Sequence, residues 1–190
     1  MAYTTVGAVK EYLGISEATD DELIATLIAS AQQAIDNYCH RTFEASADST
    51  RYFDFSRSNI DGLTLILYDE IAAITTVTNG DGIEVASDEY TTIPRNETPY
   101  FRIRLLSNSG KVWTYTTEWM DAISVIGKWA YSTEAPDDIV QACIELVSFV
   151  FRKKDAPLAD VTAIEAGTVI KTKGFAQKMT ELILPARVRP

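Results

Sequence analysis

Residues Tyr12 to Ile24 read "YLGISEATDDELI", and this stretch marks the boundary between two helices. Before it, a threonine pair can cap a short helix that ends at Gly14, where a left-handed C-cap belongs. After it, Thr19 or Asp20 is predicted to cap a second helix through a side-chain oxygen, and Glu22 completes a capping box. The acidic residues are therefore interpreted as a helix start, because no nearby histidine or metal-ligand set supports a carboxylate site.

The second helix continues from this start to about Arg41, since apolar residues recur at spacings of three and four. A third helix is predicted from Pro136, at the first helical position, through about Lys153, and it is apolar on most sides. The predicted core stripe of the second helix consists of Leu23, Leu27, Ala31, Ala34 and Tyr38, widened by Ile24, Ile28 and Ile35.

Between the second and third helices the hydrophobic period changes to alternation, which is typical of strands. Turn signals such as "NGDG" and "SNSG" separate the runs. Many short strands at this spacing predict an antiparallel sheet, a sandwich or a small barrel. The eight runs are 50–55, 63–67, 74–78, 83–85, 90–93, 101–106, 112–115 and 123–129.

The order of these elements predicts an α+β fold. Two N-terminal helices and one later helix form a small helical bundle, comprising residues 1–44 and 133–156. An antiparallel β-sandwich or barrel-like region, residues 45–132, is inserted between them. Residues 157–190 form a C-terminal arm.

Composition and charge limit the classes of function. The chain has 190 residues, 46% of them hydrophobic, with a mean hydropathy of -0.03, as in globular proteins. A net charge of -10 argues against binding nucleic acid through the average surface. Residues 171–190 are the exception, with five basic side chains and one acidic, and a basic segment favours an acidic partner. The first residues lack a secretory signal pattern, which predicts synthesis and residence in a cytoplasm. The most apolar segment, Val140 to Phe151, carries Glu145 and is too short to span a bilayer.

No catalytic, cofactor-binding or metal site is predicted from motifs. The only histidine, His40, lies near a helix end, and no G-x-S-x-G elbow supplies a nucleophile for it. Cys39 and Cys143 are expected to be reduced core residues. The alternative interpretation is a β-sandwich binding module that recognises a carbohydrate or a cell surface through its aromatic side chains, although aromatic residues on strands are more often core. An enzyme using a pair of carboxylates is a weaker alternative, because no pair can be singled out by spacing.

The N-terminal part of the chain contains a "K-x-x-L" phrase at Lys10 to Leu13, the helical run "DDELIATLIASA" at Asp20 to Ala31, and "Y-x-x-R-x-F" at Tyr38 to Phe43. With these phrases the chain resembles the head-tail connector proteins of tailed bacteriophages, also called adaptor or head completion proteins, and the resemblance extends to its other end. The later "GKWAYSTEAPDDIVQACIELVSFVFRKKDAP" and "ELILPARVRP" are similar to the family's last strand, helix and terminus.

This resemblance implies a structural protein of the virion neck, assembled in the host cytoplasm, with no enzymatic activity and no cofactor. Such proteins form a ring, commonly of twelve copies, between the portal protein and the stopper or tail protein. The ring extends the DNA channel, so viral DNA passes through it without sequence-specific binding.

Two sets of contact residues are expected within this framework. The exposed sides of the first two helices are predicted to join subunits, with Lys10 and Glu11 facing the Asp20, Asp21 and Glu22 cluster of the next copy. The basic and apolar arm is predicted to dock on the portal. The docking residues are Lys171, Lys173, Arg187 and Arg189 as charges and Phe175, Leu182 and Leu184 as apolar anchors.

Overall fold

Three long helices and a final turn form in the computed structural model, which describes residues 2–45, 47–154 and 184–189. The chain divides into two compact units. Residues 42–134 make the β unit, and residues 2–41 with those from 135 onward make the helical unit. The helices are α1 (Val6–Leu13), α2 (Asp21–Cys39), α3 (Asp137–Lys153) and the single turn α4 (Leu184–Arg187).

Helix α1 begins and ends as the sequence predicts. The Thr5 side chain accepts a hydrogen bond from the Ala8 amide at 3.2 Å, which satisfies one free donor of the first turn. Gly14 adopts the left-handed conformation with φ 72°, and its amide donates to the Glu11 carbonyl. Helix α1 packs against both α2 and α3.

The predicted side-chain cap of α2 is wrong. Asp20 occupies the N-cap position, but its side chain makes no capping hydrogen bond. Its Oδ1 instead accepts a hydrogen bond from Lys154 Nζ at 2.7 Å, from beyond the end of α3. Asp21 and Glu22 remain in the first turn, where their charges complement the helix dipole.

The predicted core stripe of α2 is partly right, because Ala31 and the widening residues Ile24, Ile28 and Ile35 are buried, but the buried face is shifted around the helix. Of the residues first assigned to the stripe, Leu23 is 38% exposed, Tyr38 is 43% exposed, and Ala34 is exposed. Ile24, Ile28 and Ile35, which only widened the predicted stripe, form the centre of the buried face, because α2 packs mainly against α3. The buried residues of α2 are Ile24, Ile28, Ala31, Ile35 and Cys39.

Helix α3 is the most buried helix of the helical unit, as its apolar sequence predicts. Pro136 is its N-cap rather than its first helical residue, and the Pro136 carbonyl accepts from the amides of Ile139 and Val140. Asp137 and Asp138 lie in the first turn. The buried apolar residues are Ile139, Ala142, Cys143, Ile144, Val147 and Phe151.

The β unit contains two antiparallel sheets. The three-stranded sheet has the order β1-β7-β4 and the four-stranded sheet the order β2-β3-β6-β5. The α+β prediction is thus confirmed, but the sheets do not close into a barrel. The strands are β1 (Ser49–Phe53), β2 (Ile60–Asp61), β3 (Thr64–Ile71), β4 (Ala73–Thr78), β5 (Tyr90–Ile93), β6 (Tyr100–Leu105) and β7 (Ile123–Lys128).

One hydrophobic core serves both sheets, because apolar side chains at alternate positions of β3, β6 and β7 point inward. Two predicted strands, 83–85 and 112–115, form only isolated bridges, whereas β2 lies where a turn was expected. The buried core residues are Phe53, Leu65, Leu67, Ile71, Val77, Val85, Ile103, Leu105, Trp113, Ile123, Val125 and Trp129.

Candidate interaction surfaces

An apolar stripe is left exposed on α2. The α2 stripe consists of Leu23, Leu27, Ala34 and Tyr38, and at 3.6 residues per turn they fall within an arc of about 60°. Leu27 is partly buried and the other three are exposed. Such a stripe lies beside the buried face and is apolar enough to contact another protein surface.

The predicted charged contacts between helices are partly formed within one chain. Lys10 Nζ lies 2.8 Å from Asp21 Oδ1, and Asp20 is paired with Lys154. Glu11 and Glu22 are exposed. The structure therefore brings Lys10 together with the acidic cluster of its own α2, and leaves two carboxylates of the predicted set on the surface.

The end of the predicted arm contacts the helical unit of its own chain. Leu184 is 6% exposed, and its carbonyl lies 3.7 Å from Cys39 Sγ. The Arg189 amide donates to the Cys39 carbonyl at 2.9 Å, which satisfies a free carbonyl at the end of α2. Arg187 donates from Nε and Nη2 to Asp138 Oδ2, both at 2.9 Å. Four other predicted arm residues, Lys171, Lys173, Phe175 and Leu182, lie outside the described residues.

An arginine face lies on the outer side of the four-stranded sheet. Arg102 and Arg104 of β6 are both exposed and, two residues apart, point to the same side. Ile66 and Ile93 lie opposite Arg102 on the neighbouring strands, and Thr64 and Thr91 lie opposite Arg104. Within the described part of the chain neither arginine forms an ion pair.

A second surface of the β unit is the acidic loop, residues 118–121, which precedes β7. Trp119 is 46% exposed and Met120 is 52% exposed at its tip. Glu118 Oε1 accepts from the amides of both, at 2.9 and 3.2 Å, while Asp121 carries an exposed carboxylate.

The backbone of the acidic loop is fixed at both ends. The Phe55 amide donates to the Trp119 carbonyl at 2.7 Å, and the Asp121 amide donates to Asp54 Oδ1 at 2.9 Å. Phe55 also packs on Tyr115, with ring centroids 5.0 Å apart. The loop thus presents an indole, a thioether and carboxylates in a fixed arrangement.

The aromatic residues considered for a carbohydrate platform are divided between the core and the surface. Trp113 and Trp129 are buried, and their Nε1 groups donate to the carbonyls of Leu63 and Ser49 at 2.9 and 3.0 Å. Only Trp119 among the three tryptophans is exposed. The two buried indoles are unavailable for stacking on a sugar.

The reactive side chains considered from the sequence have structural environments. His40 is the C-cap of α2, in the left-handed conformation with φ 53°. Burial raises the pKa of the Cys39 thiol and raises the pKa of Cys143 to about 11, so both thiols are protonated near neutrality. In residues 2–45, 47–154 and 184–189 no group of three His, Cys, Asp or Glu side chains could hold a metal ion.

No helix in the described ranges is long and apolar enough to cross a membrane. The exposed surfaces described above instead combine apolar, aromatic and charged side chains, which is the composition of protein–protein contacts.

The chain belongs to the head completion protein family, whose model matches residues 2–184. This assignment confirms the resemblance seen in the sequence and makes the chain a structural virion protein. No curated protein sequence matches it.

Two solved structures share its fold. One is the neck of an empty gene transfer agent particle computed with C6 symmetry, with 14% identity, a TM-score of 0.51, and coverage of 84% of this chain and 83% of that one. The other is the neck of a native particle computed with C12 symmetry, with 16% identity, a TM-score of 0.50, and coverage of 87% and 84%.

Proposed function

We propose that this protein forms a ring of identical copies between the portal protein and the stopper or tail protein, where it completes the head and extends the DNA channel. Membership of the head completion family supports this position in the virion neck. The fold it shares with a neck computed with C12 symmetry supports a ring of twelve copies. The role is structural, not enzymatic.

The observation that carries the ring is the exposed α2 stripe. Three of its four residues are exposed in a single chain, although α2 buries a complete second face in the helical unit. Contact with the helices of a neighbouring copy would remove these side chains from water, at about 25 cal/mol for each Å² of apolar surface. Glu11 of α1 and Glu22 of α2 are both exposed, and they are proposed to lie at the edge of this contact.

Portal docking is proposed for the arm. Lys171 and Lys173 are the electrostatic contacts and Phe175 and Leu182 the apolar anchors in this proposal, which is supported by the basic charge of residues 171–190. Leu184, Arg187 and Arg189 were expected to share this role. Their contacts with α2 and α3 support a further role, that of holding the arm to the helical unit.

Viral DNA is proposed to pass through the ring without being held. Twelve copies at -10 each would repel the phosphate backbone, so transit would not be slowed by tight binding. A carbohydrate-binding module is not favoured as the alternative, because two of the three tryptophans are buried in the core.

The ring is tested by a matched pair of substitutions on α2. Ala34→Glu places a carboxylate in the α2 stripe, and Ala25→Glu places the same group on an exposed position about 180° away around the helix. Light scattering measures the mass of each variant, alone and with purified portal rings. We expect ring-sized mass from the wild type and Ala25→Glu but not from Ala34→Glu.

Two results would contradict the proposed ring. Wild-type protein that stays monomeric both alone and with the portal would exclude the ring. Equal assembly by the two variants would exclude the α2 stripe from the contact.

The docking role of the arm is tested by Lys171→Glu with Lys173→Glu. This variant should bind the portal more weakly, while the described contacts of Leu184, Arg187 and Arg189 stay untouched. Unchanged portal binding would exclude the docking role.

A further inference from the structure

The β unit carries two surfaces of opposite character. The arginine face has two guanidinium groups, with Ile66 and Ile93 opposite Arg102. The acidic loop has Trp119 and Met120 between carboxylates. These surfaces belong to different parts of the unit, because one is the outer side of the four-stranded sheet and the other precedes the central strand of the three-stranded sheet.

Resting on the proposed ring, we infer that the acidic loop of one copy docks on the arginine face of the next. A closed ring is built from head-to-tail contacts, in which one surface of a subunit meets a different surface of its neighbour. Such a contact needs two unlike, complementary patches on the same chain. The arginine face and the acidic loop meet this requirement in charge and in apolar content.

The individual groups match in chemistry. Arginine binds carboxylates through paired N–H donors and stacks on the face of an indole, so Arg102 and Arg104 are suited to Glu118 or Asp121 and to Trp119. Ile66 and Ile93 offer aliphatic surface for Met120. Trp and Arg are also the residue types that contribute most to binding at protein contacts.

The net charge of the chain makes a local match of this kind necessary. Each copy carries -10, so identical copies repel one another at long range. Cations free of internal ion pairs are therefore valuable at the contact. Lys10, Lys154 and Arg187 are already paired within the described chain, whereas Arg102 and Arg104 form no ion pair there.

The acidic loop is already held in one conformation. Glu118 accepts from two loop amides, and Asp54 and Phe55 fix its ends. A loop that is ordered before binding loses little conformational entropy on docking. The hydrogen bonds of the loop therefore favour docking of the loop as a rigid body.

The test uses two variants that each lack one surface. The face variant carries Arg102→Glu and Arg104→Glu, and the loop variant carries Trp119→Ala and Met120→Ala. All four side chains are exposed, so each variant should keep its fold, which circular dichroism checks. Arg57→Glu with Arg152→Glu is the matched control for the face variant, because it makes the same change in net charge at exposed positions elsewhere.

We expect each variant alone to self-associate more weakly than the control, by on the order of a hundredfold, since like charges then meet or the anchor is lost. The face variant keeps an intact acidic loop, and the loop variant keeps an intact arginine face. Mixing the two variants therefore restores one complete contact between these two surfaces. The mixture should therefore associate more strongly than either variant alone, and its first product should be a 1:1 pair of about twice the 21.0 kDa chain mass.

Analytical ultracentrifugation distinguishes the outcomes. Rings of wild-type size from the face variant, or a mixture that behaves as its separate components, would overturn the inference while leaving the proposed ring in place. Wild-type protein that assembles neither alone nor on the portal would overturn both.

Discussion

Asn79 is predicted to hold together the turn after β4 and the segment before the acidic loop. Its side chain is 4% exposed. Nδ2 donates to the Val112 carbonyl at 2.9 Å, and Oδ1 accepts from the amides of Gly80 and Thr114 at 2.9 and 3.1 Å. One amide group thus joins residues 79–80 to residues 112–114, in a region where neither segment forms a regular strand.

Replacing Asn79 by alanine removes all three hydrogen bonds and leaves their backbone partners unpaired. A hydrogen bond contributes about 0.5–1.5 kcal/mol, so the free energy of unfolding should fall by about 3 kcal/mol. Asn79→Asp keeps both accepted bonds and loses the donated one. Asn96→Ala, at an exposed position, is the matched control and should change stability by less than about 0.5 kcal/mol.

Urea unfolding followed by tryptophan fluorescence measures this loss in the β unit alone, because all three tryptophans lie between residues 42 and 134. With a urea dependence of about 1–1.5 kcal/mol per M, the midpoint should fall by about 2 M or more. A midpoint for Asn79→Ala within 0.5 M of that for Asn96→Ala, at about the same slope, would refute the reasoning.

Three further predictions concern the helical unit. Arg187→Ala removes the ion pair with Asp138 and should cost about 1 kcal/mol, seen as faster proteolysis near the C-terminus; an unchanged cleavage rate would contradict it. Cys143, with a pKa of about 11, should react with a thiol reagent at pH 8 at least about tenfold slower in native than in urea-unfolded protein. Burial raises the pKa of Asp36 above 3.8, against the hydrogen bond from Tyr3. The stability that this carboxyl group contributes is therefore fully present below pH 3.8 and is lost as the pH rises through its folded pKa. In thermal unfolding, Asp36→Asn should be more stable than the wild type at pH 7 but not at pH 3.

Local signals in the sequence predicted the elements whose cause is local. Thr5 and Gly14 bound α1 because a hydroxyl can cap an amide and glycine tolerates positive φ, whatever surrounds them. The predicted side-chain cap of α2 at Asp20 was wrong, and the Asp20 carboxylate instead pairs with Lys154, more than a hundred residues away. No periodicity shows that contact.

Two strand predictions fail, and at residues 112–115 side-chain hydrogen bonds take the place of a regular ladder. Residues 83–85 and 112–115 have β-branched and aromatic residues, yet they form only isolated bridges. Asn79 supplies the hydrogen bonds that the Thr114 amide and the Val112 carbonyl would otherwise seek in a neighbouring strand. The antiparallel α+β class was still predictable, because it depends on the many alternating runs rather than on any one of them.

The arginine face could have been predicted from the sequence, although the acidic loop could not. The segment "YFRIRL" alternates charged and apolar residues, which places Arg102 and Arg104 on one side of a strand. The acidic loop had no such signal, since its shape depends on Asp54 and Phe55, more than sixty residues earlier in the chain. Exposure is a tertiary property, and only the fold reveals it.

The misplaced core stripe of α2 has a physical cause that bears on function. Leu23 to Cys39 carries apolar residues over an arc of about 160°, more than one small bundle can cover, so periodicity alone cannot decide which part of the arc is buried. Packing against α3 selects the half that contains Ile24 and Ile35. The other half, the α2 stripe, then remains for a second packing partner. A helix that packed only in its own bundle would gain solubility from polar residues at positions 23, 34 and 38. The apolar residues found there favour a helix that is covered twice, once in its own unit and once by a neighbouring copy.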